Sequence, residues 1–102
     1  MLNLEELYEK YVDEESHEFG RVENKLSARA DIHAFLLLDK LVPLDTSKPH
    51  CRNIVAAAKH DEIYLSTDCE ELAEVITEEQ FLELVRCGVM YDSDTESLSI
   101  FV

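Results

Sequence analysis

Three cysteines, four histidines and twenty-three carboxylates are the side chains of this 102-residue chain with chemistry to offer. Cys51, Cys69 and Cys87 are odd in number and evenly spread, with no Cys-x-x-Cys pair. That pattern fits a reducing setting and offers neither a disulfide framework nor a zinc ribbon or thioredoxin-like site. His50, Cys51, His60 and Cys69 can be assembled into a metal site on paper, but their spacing matches no common zinc pattern. The thiols are expected to be two buried small hydrophobes and one partly exposed group. Cys69 falls in the first turn of a predicted helix, where a thiolate is favoured, yet Asp68, Glu70 and Glu71 around it favour the neutral thiol. No histidine stands beside it in sequence as a base, so a Cys–His nucleophile has little support. Asp92-Ser93-Asp94-Thr95-Glu96 begins like a calcium loop. Ser97 then occupies the place of the obligatory glycine, and Val102 comes one residue before the bidentate glutamate is due, so a hairpin turn is expected instead. There is no phosphate-cradling glycine loop, no Gly-x-Ser-x-Gly and no His-Glu-x-x-His. Carboxylates are so abundant that no pair stands out as an acid and base. The expectation is a protein that is not an enzyme and uses no metal and no cofactor.

The formal charge is −14, and it is unevenly distributed. Residues 1–20 carry seven acids and one lysine, residues 21–60 seven bases and four acids, and residues 61–102 twelve acids and Arg86 alone. A general basic surface for nucleic acid is excluded. Direct DNA binding would have to use Arg21, Lys25, Arg29, Lys48, Arg52 and Lys59 of the middle segment. No run approaches the roughly 18 apolar residues of a membrane span, and no signal peptide is read at the start. The cytoplasm is the expected location. With 46% apolar residues the chain can bury one core, and a single domain over residues 1–102 is expected.

The elements that must position these groups follow from periodicity and caps. Asn3 with Glu6 caps a first helix, residues 3–17, whose apolar face is Leu4, Leu7, Tyr8 and Tyr11. Those tyrosines are either core edge or an interface stripe. Residues 28–42 are apolar nearly all round, predicting a central helix enclosed on several sides, with Ser27 as cap and Pro43 as stop. His33 on it reads as a hydrogen-bonded, partly buried histidine. Pro49 fits the first turn of a third helix running through Ile54, Val55 and Ala58 to Lys59. Ile63-Tyr64-Leu65 is a short strand. Thr67 to Glu70 and Thr77 to Gln80 have the form of capping boxes, opening helices with Leu72, Ala73, Val75 and Ile76, then Phe81, Leu84 and Val85. Gly88 is the expected stop, and residues 89–102 a hairpin. The fold expected is α+β and mostly helical: five helices and a small three-stranded antiparallel sheet, with 1–48 as the N-terminal helical part.

From residue 49 the order helix, strand, helix, helix, strand, turn, strand resembles a winged-helix domain. Leu72 and Ala73 match its second helix, Phe81, Leu84 and Val85 its third, and the hairpin its wing. The chain departs from the DNA-binding members of that family. Thr77 stands where a small residue such as glycine is usual, and Glu78 where an apolar one is. Acids occupy the groove-reading helix and the wing. The resemblance therefore implies the scaffold without ordinary DNA binding. In size, acidity, scarcity of glycine and lack of a catalytic signature the chain is also similar to small acidic proteins of phages and prophages. That similarity implies action by binding a host enzyme or complex.

Two functions are expected from different classes. One is binding of a basic protein partner, in its sharpest form DNA mimicry, by Glu70, Glu71, Glu74, Glu78, Glu79, Glu83, Asp92, Asp94 and Glu96. Glu70 and Glu74, and Glu79 and Glu83, are each one helical turn apart, so like charges share a face at some loss of stability. The other is an interaction or dimerisation module using apolar surface. Helix one or the edge from Leu98 to Val102 would then build a homodimer, and acidity would serve only solubility. Salt separates the two, because it screens charge pairing and leaves apolar docking intact.

Overall fold

Helices begin in this chain where a side-chain oxygen can take the first unpaired amides, and among the described residues three of the four start that way. The computed structural model describes residues 2–23, 25–43, 47, 54–59 and 61–101. Helix α1 is Leu4–Glu15, and Asn3 Oδ1 accepts the Glu6 N–H at 3.1 Å. Helix α3 is Cys69–Val75 and α4 is Glu78–Arg86. The Thr77–Gln80 box is present in both directions, at 3.2 and 3.0 Å. The other box is displaced by one residue. Asp68 caps α3, accepting from the N–H groups of Glu70 at 2.9 Å and Glu71 at 3.3 Å, while Thr67 is buried. A carboxylate in competition with a hydroxyl takes the cap because its charged acceptor bonds are stronger and favoured by the helix dipole.

Helix α2 is Ala30–Leu41. Ser27 does not cap it; its hydroxyl accepts the Arg29 N–H at 3.2 Å, and Arg29 occupies the cap position with no side-chain bond. The helix is not enclosed on several sides by the described residues. His33, Ala34, Leu37 and Leu38 are buried, while Ile32 and Leu36 on the opposite side are 39% and 45% exposed.

The third helix expected over residues 49–59 is corrected. Its first part lies outside the described residues, and Val55–Lys59 is a strand, β1. It pairs antiparallel with β2, Glu62–Leu65, with Ala57 opposite Tyr64, Ala58 opposite Ile63 and Lys59 opposite Glu62. Alanine's helix preference is only a few tenths of a kcal/mol per residue over most others. A ladder of backbone hydrogen bonds to a neighbouring strand overrides it, as does the difficulty of nucleating so short a helix. Among the described residues the count is accordingly four α-helices and a four-stranded sheet, within the expected α+β class. Phe19–Arg21 adds a 3₁₀ turn.

Strands β3, Val89–Asp92, and β4, Ser97–Phe101, form the expected hairpin, with Asp92 opposite Ser97. The strand order is β1-β2-β4-β3, all antiparallel, so the strand furthest along the chain is interior. Leu98 and Ile100 project into the core, joining Leu38, Leu72, Phe81 and Leu84. Each such side chain contributes about 1.5–3 kcal/mol by leaving water.

Helix α1 lies against α4 and β3. Glu15 fastens this packing: one carboxylate oxygen accepts from Arg86 Nε at 2.8 Å and the other from Arg21 Nη1 at 2.9 Å. The Arg86 hydrogen bond, then the charges of Arg86 and Arg21, hold the Glu15 carboxyl below its ordinary range against the opposing effect of burial. The C-terminal ends of α1 and α4 meet beside it. His17 has φ 66° and Gly88 φ 92°, and a Cβ on Gly88 would stand 2.8 Å from two atoms of the His17 ring. Glycine at 88 satisfies both the left-handed turn and the close approach.

Candidate functional site

The nine carboxylates expected to meet a basic partner lie at different places on the fold. Glu70, Glu71 and Glu74 are exposed along α3, and Asp92, Asp94 and Glu96 are exposed at the β3–β4 turn. The turn is shaped from within: Asp92 Oδ1 accepts the Asp94 N–H at 2.9 Å, and the hydroxyls of Thr95 and Ser97 are 2.6 Å apart. Glu96 takes a left-handed φ of 50°. Asp92 to Glu96 are thus a hairpin turn.

Tertiary packing brings the turn to α3. Glu70 and Glu96 line one shallow recess of about 390 Å³ together with Leu2, Cys69, Ala73 and Tyr91. Burial, and then the ionisable neighbours Cys69, Glu96, Glu5 and Asp92, push the Tyr91 phenol up. The start of α1 therefore adds Glu5 to this end of the molecule, and Leu2 N–H anchors that start to Ala73 O at 3.0 Å. Glu5 and Tyr91 carried no sign of membership in the sequence, because only the packing of α1 across β3 and beside α3 brings them there.

Three of the nine stand apart. Glu78 accepts the Tyr11 hydroxyl at 2.6 Å and lies 3.5 Å from Lys10 Nζ. The Tyr11 hydrogen bond, then the Lys10 charge, hold its carboxyl below the ordinary range. Glu79 is exposed on α4. Glu83 is half-buried, with Oε2 3.6 Å from His33 Nε2. His33 is 1% exposed and accepts the Leu26 N–H on Nδ1 at 3.0 Å, which assigns its proton to Nε2. That Nε2–H has no hydrogen-bond partner within range, and the Glu83 oxygen lies just beyond.

The thiols are placed against nucleophilic chemistry. Burial, then the charges of Asp68 and Glu96, push Cys69 up to about 11. Burial and Glu83 push Cys87 up to about 12. Both are buried, as two of the three were expected to be, and both hold their protons at neutral pH. Cys51, His50 and His60, the other members of the paper metal set, lie outside the described residues. Among the described residues no three His, Cys, Asp or Glu side chains are grouped to hold a metal ion, and no helix is long and apolar enough to cross a membrane.

The cations of the middle segment are largely engaged within the fold. Arg21 is held by Glu15, and Arg29 lies 3.5 Å from Asp31. Lys25 donates to Val22 O at 2.9 Å and sits over the Phe19 ring. Lys48 and Arg52 lie outside the described residues, and Lys59 is exposed on β1. No ion pair among the described residues involves Glu5, Glu70, Glu71, Glu74, Asp92, Asp94 or Glu96.

No protein family, curated protein or solved structure matches the chain.

Proposed function

We propose that this protein is a non-enzymatic binding protein of the cytoplasm that engages a basic protein partner through the acidic end formed by α3, the β3–β4 turn and the start of α1. The observation that carries the proposal is the convergence of Glu5, Glu70 and Glu96, from three separate elements, around the Tyr91–Cys69 recess with no Lys or Arg paired to them among the described residues. Like charges brought together by folding repel one another, and a cationic partner relieves that repulsion. A field of one sign also accelerates encounter with such a partner by a factor of roughly 10–1,000 at low salt. In its sharpest form the acidic end imitates the phosphates of a nucleic acid and competes with it for a groove on the partner. The similarity to small acidic phage and prophage proteins points the same way. Glu70, Glu71, Glu74, Asp92, Asp94 and Glu96, with Glu5 added, are the contact residues proposed. Glu78 and Glu83 act within the fold, against Tyr11 and His33.

The test is capture of partners from a bacterial lysate on the tagged protein, with elution by a salt gradient and identification by mass spectrometry. A nucleic-acid-binding protein that leaves at moderate salt and is displaced by added DNA is expected. Glu70→Lys with Glu96→Lys should abolish its capture. A partner that resists salt and ignores those two substitutions would transfer the function to an apolar surface and overturn the acidic reading.

A further inference from the structure

Helix α2 turns one face away from the core, and that face has a definite order of residues. Arg29, Ile32, Leu36 and Asp39 succeed one another at intervals of three, four and three, so they lie on a single stripe. The buried residues His33, Ala34, Leu37 and Leu38 occupy the other side. Among the described residues the stripe is uncovered: Ile32 and Leu36 are 39% and 45% exposed, and Leu26, just before the helix, is 49% exposed.

The charges at the two ends of the stripe oppose the helix dipole. A cation at the N-cap and an anion near the C-terminus each destabilise a helix, and Arg29 and Asp39 occupy those places. Among the described residues Arg29 pairs with Asp31, at 3.5 Å and with its side chain 72% exposed, a pairing of little strength. An antiparallel copy of the same helix resolves both conflicts. With the two helices crossing at residue 34, Ile32 faces the second copy's Leu36, and Arg29 faces its Asp39. The two-fold axis then repeats both pairs. In heptad terms, the positions filled by Arg29 and Leu36 each meet the partner position filled by Asp39 and Ile32, which is the layer pattern of antiparallel coiled coils.

We infer that the exposed face of α2 is a self-association surface, on which two copies of this chain pair antiparallel through Ile32 and Leu36 with an Arg29–Asp39 ion pair at each end. A charge of −14 on each copy disfavours association in general. This stretch is the exception, since residues 21–43 carry four bases and three acids. No residue of this face belongs to the acidic end, so the inference does not rest on the partner proposed above. A 12-residue helix is about 18 Å long. One helix pair covers less than the roughly 800 Å² per partner of a stable dimer. The dimer is therefore weak and concentration-dependent.

Sedimentation equilibrium over a concentration series tests this with the whole chain. The mass is expected to rise from the 11.7 kDa of one chain toward double that value. Leu36→Glu, on an exposed position, should leave circular dichroism unchanged and abolish the rise. Arg29→Asp and Asp39→Arg each suit the helix dipole, so both variants should fold at least as well as the parent. Each should nonetheless weaken the dimer roughly tenfold or more by facing like charges. Combining them restores opposite charges across the axis and should restore the dimer. A chain that remains monomeric at about 1 mM overturns the inference. So does a dimer indifferent to Leu36→Glu, and a dimer that the combined exchange fails to restore overturns the antiparallel register.

Discussion

Raising the pH should destabilise this protein well before its lysines and tyrosines titrate, and the two buried thiols set the amount. Unfolded, each cysteine releases its proton near the ordinary value of 9.0; folded, Cys69 holds it to about 11 and Cys87 to about 12. Between those values the folded state binds more protons than the unfolded state. Stability is then fully present below the unfolded pKa and falls as pH rises, until the folded thiols ionise too. At about pH 10 each thiol has removed roughly one pKa unit of stability, about 1.4 kcal/mol, so the pair removes about 3 kcal/mol. That is a large share of the 5–15 kcal/mol typical of a domain, and corresponds to a fall in Tm of roughly 10–20 °C at this size. Calorimetry or thermal circular dichroism from about pH 8 to pH 10, with reductant present, measures it. Tyr8, Tyr64 and Tyr91 are also pushed up from an ordinary value of 10.0, so the window below about pH 10 belongs to the thiols. The control is Cys69→Ala with Cys87→Ala, compared with the parent under the same conditions. The double variant should start lower, because two small voids are left, and then fall much less, by the share that Tyr8, Tyr64 and Tyr91 add as the pH nears 10. An equal fall in parent and variant would refute the assignment of the alkaline loss to buried neutral thiols.

Two further outcomes follow from the junction of α1 with α4. Gly88→Ala places a Cβ at φ 92° and within 2.8 Å of the His17 ring, and should lower unfolding free energy by about 1–3 kcal/mol in urea titrations. His17→Ala in the same chain should recover only the steric part, leaving the backbone strain. Glu15→Gln should lower stability at neutral pH by weakening the bonds to Arg86 and Arg21. Because the folded Glu15 pKa is depressed, the parent loses that advantage as pH falls below the ordinary value of 4.5 and through the folded value. Denaturant curves of parent and variant should converge in acid.

Features decided within one turn of chain were legible from residue types alone. Asn3, the Thr77–Gln80 box and Gly88 each complete a helix end with neighbours three residues away or less, so spacing suffices. Val55–Lys59 was not legible, since its alanines become a strand only through Tyr64, Ile63 and Glu62 across the hairpin. The cap of α3 was blurred because Thr67 and Asp68 are adjacent acceptors, and one of them is buried. The acidic surface was half legible. Its composition stands in the sequence, but Tyr11 takes Glu78 from 67 positions away, and Glu83 turns toward His33. Charge says how many carboxylates a chain has; only packing says which of them face outward together.

The interior place of β4 in the sheet bears on how the molecule assembles in time. Ser97–Phe101 pairs with Met90 and its neighbours nearby, but also with Glu62 to Tyr64, and the α1 that covers this framework comes from the opposite end of the chain. Until the last strand is in position, β1 and β2 form an isolated two-stranded ribbon, which is marginal in water. Helix α1 likewise has only part of its seat. Folding must close long loops before most contacts reward it, which places this chain among slower folders than a helical protein of its length. An internal break between α4 and β3 should therefore yield two unstructured pieces that recover the fold only when mixed.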